Sequence, residues 1–407
     1  MVDGSWPGWH SRTRNCVWVL RSVCRGWTSA GTEPDVYRHA SSKIACFAGG
    51  YNPTETPLLE YGRTNPDALA AIRGMFRLPS AGDAVPVLRE KLARGRIGRR
   101  LANVSPCLIG IEAGMATHYV ARELLALGHD VRQVPPAYAK PFRQGHKNDF
   151  RDAYAVAEAV QRPSTRCVPV KTDDQLDLQA LHRVRSRLVG QRTAVINQIR
   201  SFLLERGIAV RQGPRFLRRQ FPEILAKRID VLSPRMIAII EDLGGDWRRL
   251  DERIERVTEE IEQLAHGSES CRQLMTVPGI GPLIASAMVA AIANGAAFAK
   301  GRDFAAWLGL VPKQRSTGDR TILGHISKRG NRYLRTLFIQ GARVILLRPA
   351  NWARHSFGPW LTAAAKRLHH NVLATALANK LARIAWTVLA QRRNYETRVV
   401  TEAAQEL

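Results

Sequence analysis

Residues 107–112 read Cys-Leu-Ile-Gly-Ile-Glu, an apolar run that ends on a carboxylate and decides the fold of this part of the chain. An amphipathic stretch at 117–127 follows, and residues 130–134, Asp-Val-Arg-Gln-Val, have the pattern of a second short strand. Strand, helix, strand in this order predicts a parallel pair with a crossover, the unit of an α/β sheet. We therefore predict an α/β domain at 81–170, with a weak additional strand at 85–88.

Long helices are predicted at 171–268, because the apolar residues there recur every three or four positions. The two seams consist of Leu181, Val184, Leu188, Val195, Ile199 and Phe202, and of Leu250, Ile254, Val257, Ile261 and Leu264. Two such helices predict a coiled-coil region, arranged as an antiparallel hairpin or as an oligomerising coil. The alternative is a pair of surface helices on a bundle.

The remaining segments differ in character. Residues 269–395 are predicted to form a third, mostly helical domain, and residues 396–407 a tail. Residues 1–80 are rich in Trp, Gly, Pro, Ser and Thr and show no lasting apolar period, so we interpret them as an atypical, disordered or frame-shifted segment.

The charge balance points to a polyphosphate partner. The chain has 407 residues, a net charge of +26 and 45% hydrophobic residues, so it can bury cores while presenting a strongly basic surface. No run approaches the roughly 20 apolar residues of a membrane-spanning helix. The six cysteines are scattered without zinc spacing, which is typical of reduced thiols in a cytoplasm.

Three carboxylates are spaced as in a metal site. Glu112 ends an apolar strand, where open α/β sheets bind their ligands. Asp149 and Asp152 lie three residues apart on the first turn of a predicted helix, so both project from one face. Carboxylates are ligands that Mg²⁺ prefers, and two ions about 4 Å apart could hold the attacking and leaving oxygens of a phosphodiester. The alternative is that the two aspartates only complement the helix dipole.

Two further segments have features of phosphate chemistry. Gly279 and Gly281, in a Pro-Gly-Ile-Gly turn, would let backbone N–H groups approach a nucleic-acid phosphate, unless this is an ordinary inter-helix turn. Ser316 lies in a predicted loop rich in Arg and Lys, where its alkoxide could be stabilised as it attacks phosphorus. No Asp/His relay is evident, and a plain phosphate clamp is the alternative.

Basic side chains around these segments are predicted to bind nucleic acid with salt-sensitive affinity, the alternative being a solvated charged face. They are Lys313, Arg315, Arg320, Lys328 and Arg329, together with Arg183 and Arg187 on the first long helix.

An ordered set of motifs extends from about residue 82 to 395. In chain order they are Ile-Gly-Ile-Glu-Ala at 109–113, Thr-His-Tyr at 117–119, Gly-His-Asp-Val at 128–131, Lys-Asn-Asp-Phe-Arg-Asp-Ala at 147–153, Val-Pro-Gly-Ile-Gly at 277–281, Phe-Ala-Ala-Trp-Leu-Gly-Leu-Val-Pro at 304–312 and Ile-Ser-Lys-Arg-Gly-Asn at 326–331. The set resembles the DEDD transposases of bacterial insertion sequences, the insertion-sequence 110 family, and within it the 1111 branch.

The resemblance implies a RuvC-like (RNase H-like) nuclease domain, a long coiled-coil connection and a mostly helical C-terminal transposase domain. It implies site-specific recombination of double-stranded DNA, guided by an RNA that the element encodes, by a homo-oligomer (dimer or tetramer) in the bacterial cytoplasm at the nucleoid, with no membrane partner. By position, Glu112, Asp149 and Asp152 would bind Mg²⁺. Ser316 would attack DNA and form a phosphoserine link.

The chain departs from the family pattern before Glu112. The family's first Asp ends an opening strand, whereas Asp67 and Asp83 do not end apolar strands here. We therefore expect the domain at 81–170 to lack its first strand and one metal ligand. Three hypotheses remain: a serine recombinase assisted by Mg²⁺, a catalytically defective nucleic-acid-binding remnant, and a metal-dependent nuclease without a serine intermediate.

Overall fold

The computed structural model describes residues 44–47, 96–104, 106–146, 149–227 and 231–396. The chain divides into two compact units, residues 1–171 and 172–407. The predictions for 1–43 and 48–80, for the strand at 85–88 and for the tail beyond residue 396 lie outside the described residues.

The first unit contains the predicted strand, helix and strand. β1 (Ile44–Phe47), a short helix α1 (Ile97–Leu101), β2 (Leu108–Glu112), α2 (Thr117–Ala126) and β3 (Asp130–Val134) follow one another in the chain. β2 and β3 are parallel, with Leu108 opposite Asp130 and Glu112 opposite Val134. The apolar run at 107–112 and the helix at 117–127 therefore predicted this local fold correctly, and β2 buries Ile109 and Ile111.

β1 is a strand that the sequence analysis missed. It pairs antiparallel with β2, from Ile44 opposite Ile111 to Phe47 opposite Leu108. The interpretation of 1–80 as a segment without packed structure is therefore wrong for these four residues. Because β2 would otherwise expose a row of unpaired backbone groups, even a short apolar segment gains hydrogen bonds by adding to that edge.

Helices cover both faces of this sheet. α2 packs with Ile109 and Ile111 on one face. On the other face lies α4 (Asp149–Val160), which is reached through α3 (Pro136–Ala139) and a 3₁₀ turn at Lys140–Phe142. A methyl group added at Gly110 would come within 3.1 Å of the Val156 and Val160 side chains, so this glycine permits the close approach of α4.

The second unit opens with a helical hairpin. α5 (Asp173–Leu204), α6 (Pro214–Lys227) and α7 (Pro234–Gly267) follow in order. Arg185 Nε donates to Thr258 Oγ1 at 2.7 Å and Arg192 Nη1 lies 3.0 Å from Asp251 Oδ1, so α5 and α7 run antiparallel. This is the hairpin arrangement among the predicted alternatives. The seams are only partly buried, because Val184 and Leu264 are exposed.

The rest of the second unit is a helical core with one β-hairpin. Its elements are α8 (Glu269–Met275), α9 (Pro282–Ile292), α10 (Gly301–Trp307), β4 (Pro312–Thr317), β5 (Arg320–Ile326), α11 (Arg332–Leu346), a 3₁₀ turn at Pro349–Arg354, α12 (Gly358–Ala365) and α13 (His370–Gln391). Leu377, Leu381 and Val388 of α13 are buried in this core. α13 has the length and hydropathy of a membrane span, but half of its apolar window is buried within the unit, as in a core helix.

Candidate active site

Glu112 is the last residue of β2, and Asp149 and Asp152 lie on the first turn of α4. Alternate strand residues share a face, so Glu112 projects on the same side as Gly110, toward α4. After α4 the chain returns along β3, because the Val168 N–H donates to the Gln133 carbonyl and the chain then reaches Lys171 beside α2. Along the chain, the first turn of α4, with both aspartates, follows the carboxyl end of β3 through α3 and the 3₁₀ turn.

Asp152 is the most buried of the three acids, with 7% of its surface exposed. Arg143 Nη1 lies 3.5 Å from its Oδ1, so a guanidinium already neutralises this carboxylate. Sequence reasoning missed Arg143, which follows the 3₁₀ turn and has no distinctive spacing. It places a positive charge beside Asp152.

The acids match Mg²⁺ in donor type but do not form a complete site by themselves. Across the described ranges, no three His, Cys, Asp or Glu side chains are close enough together to hold a metal ion. The strand beside Glu112 reads Ile-Ala-Cys-Phe at 44–47, so it supplies no carboxylate. Asp67 and Asp83, the upstream acids, are outside the described residues. Glu112, Asp149 and Asp152 are hard oxygen donors, but the described part of the chain does not bring them together into a metal site.

A buried network of hydrogen bonds lies on the other face of the sheet, between α2 and β3. The Thr117 hydroxyl donates to Gln133 Oε1 at 3.1 Å, and Gln133 Nε2 lies 3.0 Å from His118 Nδ1. The Lys171 N–H is 3.2 Å from the same His118 nitrogen. The signal available in the sequence was Gln133 itself, a polar residue that strand alternation places on the same side as the buried Val131. These bonds fix the turn that follows Glu112.

Ser316 lies on a β-hairpin, so the predicted loop is wrong. β4 and β5 pair antiparallel around the two-residue turn Gly318-Asp319, and Gly318 adopts a left-handed φ of 55°. A two-residue turn of this kind favours a hairpin, and Thr and Ile are good strand formers. Nearly every residue of β4 and β5 is exposed. An apolar period could not reveal these strands, because neither has a buried face.

The register divides the hairpin side chains between two faces. Ser316 is opposite Thr321, whereas Arg315 is opposite Ile322 and Arg320 opposite Thr317. Residues directly opposite share a face, so the two arginines project away from the side that carries Ser316. The hydroxyl instead accepts a hydrogen bond from Gln314 Nε2 at 2.8 Å. In the described part of the chain, no imidazole or carboxylate hydrogen-bonds Ser316.

The two glycines of the Pro-Gly-Ile-Gly turn have different surroundings. A methyl group at Gly279 would lie 2.9 Å from the Gly341 carbonyl oxygen and 2.8 Å from Ile345, and its φ is 79°. Close packing against α11 therefore accounts for Gly279, which favours the inter-helix turn over a phosphate site. Gly281 is the N-cap of α9, and a methyl group there would meet open space.

The basic side chains predicted to bind nucleic acid are exposed in both segments that carry them. These are Lys313, Arg315, Arg320, Lys328 and Arg329 at the hairpin, and Arg183 and Arg187 on α5. Their exposure leaves the charges available to a phosphate backbone, and it equally suits a solvated surface.

Comparison with known proteins identifies the family. The model described as "Transposase IS116/IS110/IS902 family" matches residues 271–357, and the DEDD model of IS110 elements, described as "Transposase", matches 87–207. A "Probable family 20 transposase" of Pseudomonas aeruginosa is 43% identical over 310 residues, 76% of this chain and 91% of that protein.

Two further relatives are named for their elements. The transposase for insertion sequence element IS1328 of Yersinia enterocolitica is 38% identical, over 75% of this chain and 90% of its own length. The transposase for IS1111A of Coxiella burnetii is 38% identical, over 71% and 79%. The DEDD match implies a RuvC-like fold, consistent with the α/β sheet of the first unit. The chain therefore belongs to the IS110 family of insertion-sequence transposases, as its motifs predicted.

Proposed function

We propose that this chain is a site-specific DNA recombinase that moves its insertion sequence with Ser316 as the nucleophile. Family membership supports the transposase activity. The observation that supports the serine is the hairpin within the matched region 271–357, which presents an exposed Ser316 two residues before its turn. An exposed hydroxyl on a projecting ribbon can reach a phosphodiester in a duplex that no concave pocket could enclose.

The proposed step is a transesterification. The Ser316 oxygen attacks phosphorus, a new P–O bond to serine forms, and the bond from phosphorus to the leaving DNA oxygen breaks. The hydroxyl proton passes to solvent or a nearby base, and the leaving oxygen takes up a proton. Attack by a second strand's hydroxyl reverses these changes and releases Ser316. The phosphodiester bond energy is conserved, so no external energy source is required.

Gln314 has a role in this step. Its amide N–H donates to the serine oxygen at 2.8 Å, so it would stabilise negative charge as the hydroxyl loses its proton. Arg315 and Arg320 lie on the opposite face, so they would bind phosphates of the DNA backbone and would not contact the reacting serine oxygen. Together these side chains would orient the ribbon against DNA.

We propose that Glu112, Asp149 and Asp152 are the residues that would hold Mg²⁺. When bound there, Mg²⁺ would neutralise charge on a phosphate. DEDD domains typically use divalent metals. Arg143, beside Asp152, would compensate the charge of that carboxylate. A fourth ligand would have to come from residues outside the described part of the chain or from another molecule.

The proposed partners follow from charge and family. The net charge of +26 favours nucleic acid, and the exposed basic side chains at the hairpin and on α5 would contact double-stranded DNA and the guide RNA that the element encodes. We propose that a homo-oligomer, a dimer or tetramer, carries out the reaction. The domains in this proposal are a RuvC-like domain at 81–170, a coiled-coil region at 171–268 and a C-terminal domain at 269–395.

One observation favours a second candidate function, a nucleic-acid-binding remnant without catalysis. β1 takes the place beside β2 in antiparallel orientation and brings no acid to Glu112. A site that lacks one carboxylate can bind a cation weakly and still lose the geometry that phosphoryl transfer needs. Such a remnant would bind DNA in a salt-dependent way without moving it.

Excision of a marked copy of the element in cells separates these candidates. The recombinase predicts excision by the wild type and its loss in Ser316→Ala and in Asp152→Asn. The matched control is Ser201→Ala, which removes an exposed hydroxyl from α5 and should leave excision unchanged. A remnant would give no excision with the wild type. A metal-dependent nuclease would still break DNA at the element ends in Ser316→Ala, which would exclude the serine mechanism.

A further inference from the structure

The hairpin that carries Ser316 has little packing of its own, so its direction depends on its connections. Among the residues of β4 and β5, only Ile326 is partly buried. Two segments join the hairpin to the helical core, residues 308–311 before β4 and residues 327–331 after β5. We call these two segments the neck.

Backbone hydrogen bonds hold the two segments of the neck together. The Ser327 N–H donates to the Val311 carbonyl at 2.8 Å, and the Lys328 N–H donates to the Gly309 carbonyl at 3.1 Å. Asn379 of α13 donates from Nδ2 to the Leu310 carbonyl at 3.1 Å. The neck therefore continues the pairing of the hairpin down to the core.

The two segments also touch backbone to backbone. A methyl group at Gly330 would be 1.7 Å from the Trp307 carbonyl oxygen, and one at Gly309 would be 2.2 Å from the Arg329 carbonyl oxygen. Both glycines have left-handed φ angles, 75° and 72°. No side chain fits between the segments, so a small change in their separation would tilt the whole hairpin.

The Arg335 side chain hydrogen-bonds to both segments of the neck. It lies on the first turns of α11 and is 9% exposed. Its Nη1 donates to the Leu308 carbonyl at 2.7 Å and to the Arg329 carbonyl at 3.0 Å, one acceptor in each segment. No carboxylate within the described ranges forms an ion pair with it, and Leu308 caps the carboxyl end of α10, where carbonyls are partly negative. The buried charge is thus balanced by neck carbonyls.

α11 provides a firm base for this arginine. Asn331 caps the helix by accepting from the Leu334 N–H at 3.1 Å, and Tyr333 lies 3.0 Å from His182 of α5 through its hydroxyl. The first turn of α11 is therefore attached both to the neck and to the long hairpin helices. The hydrogen bonds from Arg335 therefore hold the two neck carbonyls at a fixed position relative to α11.

We infer that Arg335 is a positioning residue that sets the direction in which the hairpin presents Ser316 to the scissile phosphate. This inference rests on the proposed serine mechanism. Arg335 does not contact the reacting atoms, so its loss should slow attack by Ser316 without weakening the grip on DNA. Lysine at this position could still donate to both carbonyls from one ammonium, but with a shorter reach and without the planar guanidinium.

The kinetic test compares Arg335→Met, Arg335→Lys and the control Arg332→Met, an exposed arginine on the same helix turn. The probe is a duplex of the element's own ends with its RNA, and the readouts are the rate of covalent adduct formation at saturating DNA and the Kd for DNA. We expect Arg335→Met to lower the rate at least about tenfold, because misplacing a reacting group costs large factors, with Kd changed less than about threefold. Arg335→Lys should recover part of the rate, and Arg332→Met should retain it.

An unchanged rate in Arg335→Met, or equal losses in rate and affinity, would overturn the inference. So would a similar loss of rate in Arg332→Met. If the wild type forms no adduct, or Ser316→Ala still forms one, the proposed function itself fails. These failures are distinguishable because the inference has a second readout that needs no reaction.

That readout is amide hydrogen exchange in the full-length chain. Arg335→Lys should speed exchange at residues 312–326 and leave α13 protected as in the wild type. It also covers the case in which Arg335→Met fails to fold. Exchange that is unchanged at the hairpin, or increased equally throughout the second unit, would contradict a specific role in holding the neck.

Discussion

Lowering the pH from 7 to 5 should destabilise the second unit through His182. This imidazole is 3% exposed, with Nδ1 3.0 Å from the Tyr333 hydroxyl and Nε2 3.0 Å from the Ser286 hydroxyl. Ser286 donates its own proton to the Pro282 carbonyl at 2.6 Å, so its oxygen accepts from Nε2–H. Nδ1 is then the acceptor for Tyr333, and the ring is neutral with every polar atom satisfied.

Burial lowers the pKa of His182 from 6.5 to about 4, and the nearby Arg185 charge acts in the same direction. The folded state therefore resists a proton that the unfolded chain accepts below pH 6.5. The contribution of neutral His182 to the free energy of unfolding is fully present above pH 6.5 and is lost progressively as the pH falls toward 4. Linkage between these two pKa values gives a loss of about 2 kcal/mol in the free energy of unfolding between pH 7 and pH 5.

The assay is urea denaturation followed by tryptophan fluorescence at both pH values, with His182→Gln as the comparison. Glutamine does not titrate, so the variant is expected to be less stable at pH 7 but to lose about 2 kcal/mol less on acidification. His129 and His355 also have pKa values lowered by burial and are present in both proteins, so the difference isolates His182. Equal losses in wild type and variant would refute the reasoning.

Three further predictions concern the hairpin and its surroundings. Gln314→Ala should slow adduct formation by Ser316 about tenfold, since it removes a donor to the reacting oxygen, and leave DNA affinity unchanged in a binding titration; loss of affinity instead would give Gln314 a binding role. Gly330→Ala should destabilise the second unit by more than about 2 kcal/mol in urea denaturation, because its φ is left-handed and its Cβ would overlap Trp307, and an unaffected midpoint would count against the close neck. Arg315→Gln should reduce the slope of log Kd against log salt by about 1, and an unchanged slope would mean that Arg315 does not contact a phosphate.

The sheet of the first unit was predictable because its residues carry local signals. Residues 107–112 form an apolar run, and α2 ends before Gly128, whose φ of 86° needs a glycine. The placement of Glu112 at the carboxyl end of β2 follows from the same pattern. β1 could not be predicted, because Ile-Ala-Cys-Phe is too short to show a period and its pairing depends on a strand more than 60 residues away.

The candidate site was predictable in its residues and less so in its geometry. Ser316 was identified within its motif, but the two faces of the hairpin depend on a register that an exposed ribbon does not encode in hydrophobicity. Arg335 carries no sequence signal, since its role comes from carbonyls at Leu308 and Arg329 on other elements. The sequence could not decide between a phosphate turn and an inter-helix turn at Gly279, because its tight packing against α11 is visible only in three dimensions.

Mapping the covalent DNA attachment tests the central claim most directly. The full-length chain is incubated with the element's ends, its RNA and Mg²⁺, the complex is denatured and digested, and the peptide that keeps a nucleotide is sequenced by mass spectrometry. The account predicts a phosphodiester link on Ser316 and no adduct with Ser316→Ala. Attachment at another residue, or cleaved DNA with free ends from an otherwise active protein, would contradict it.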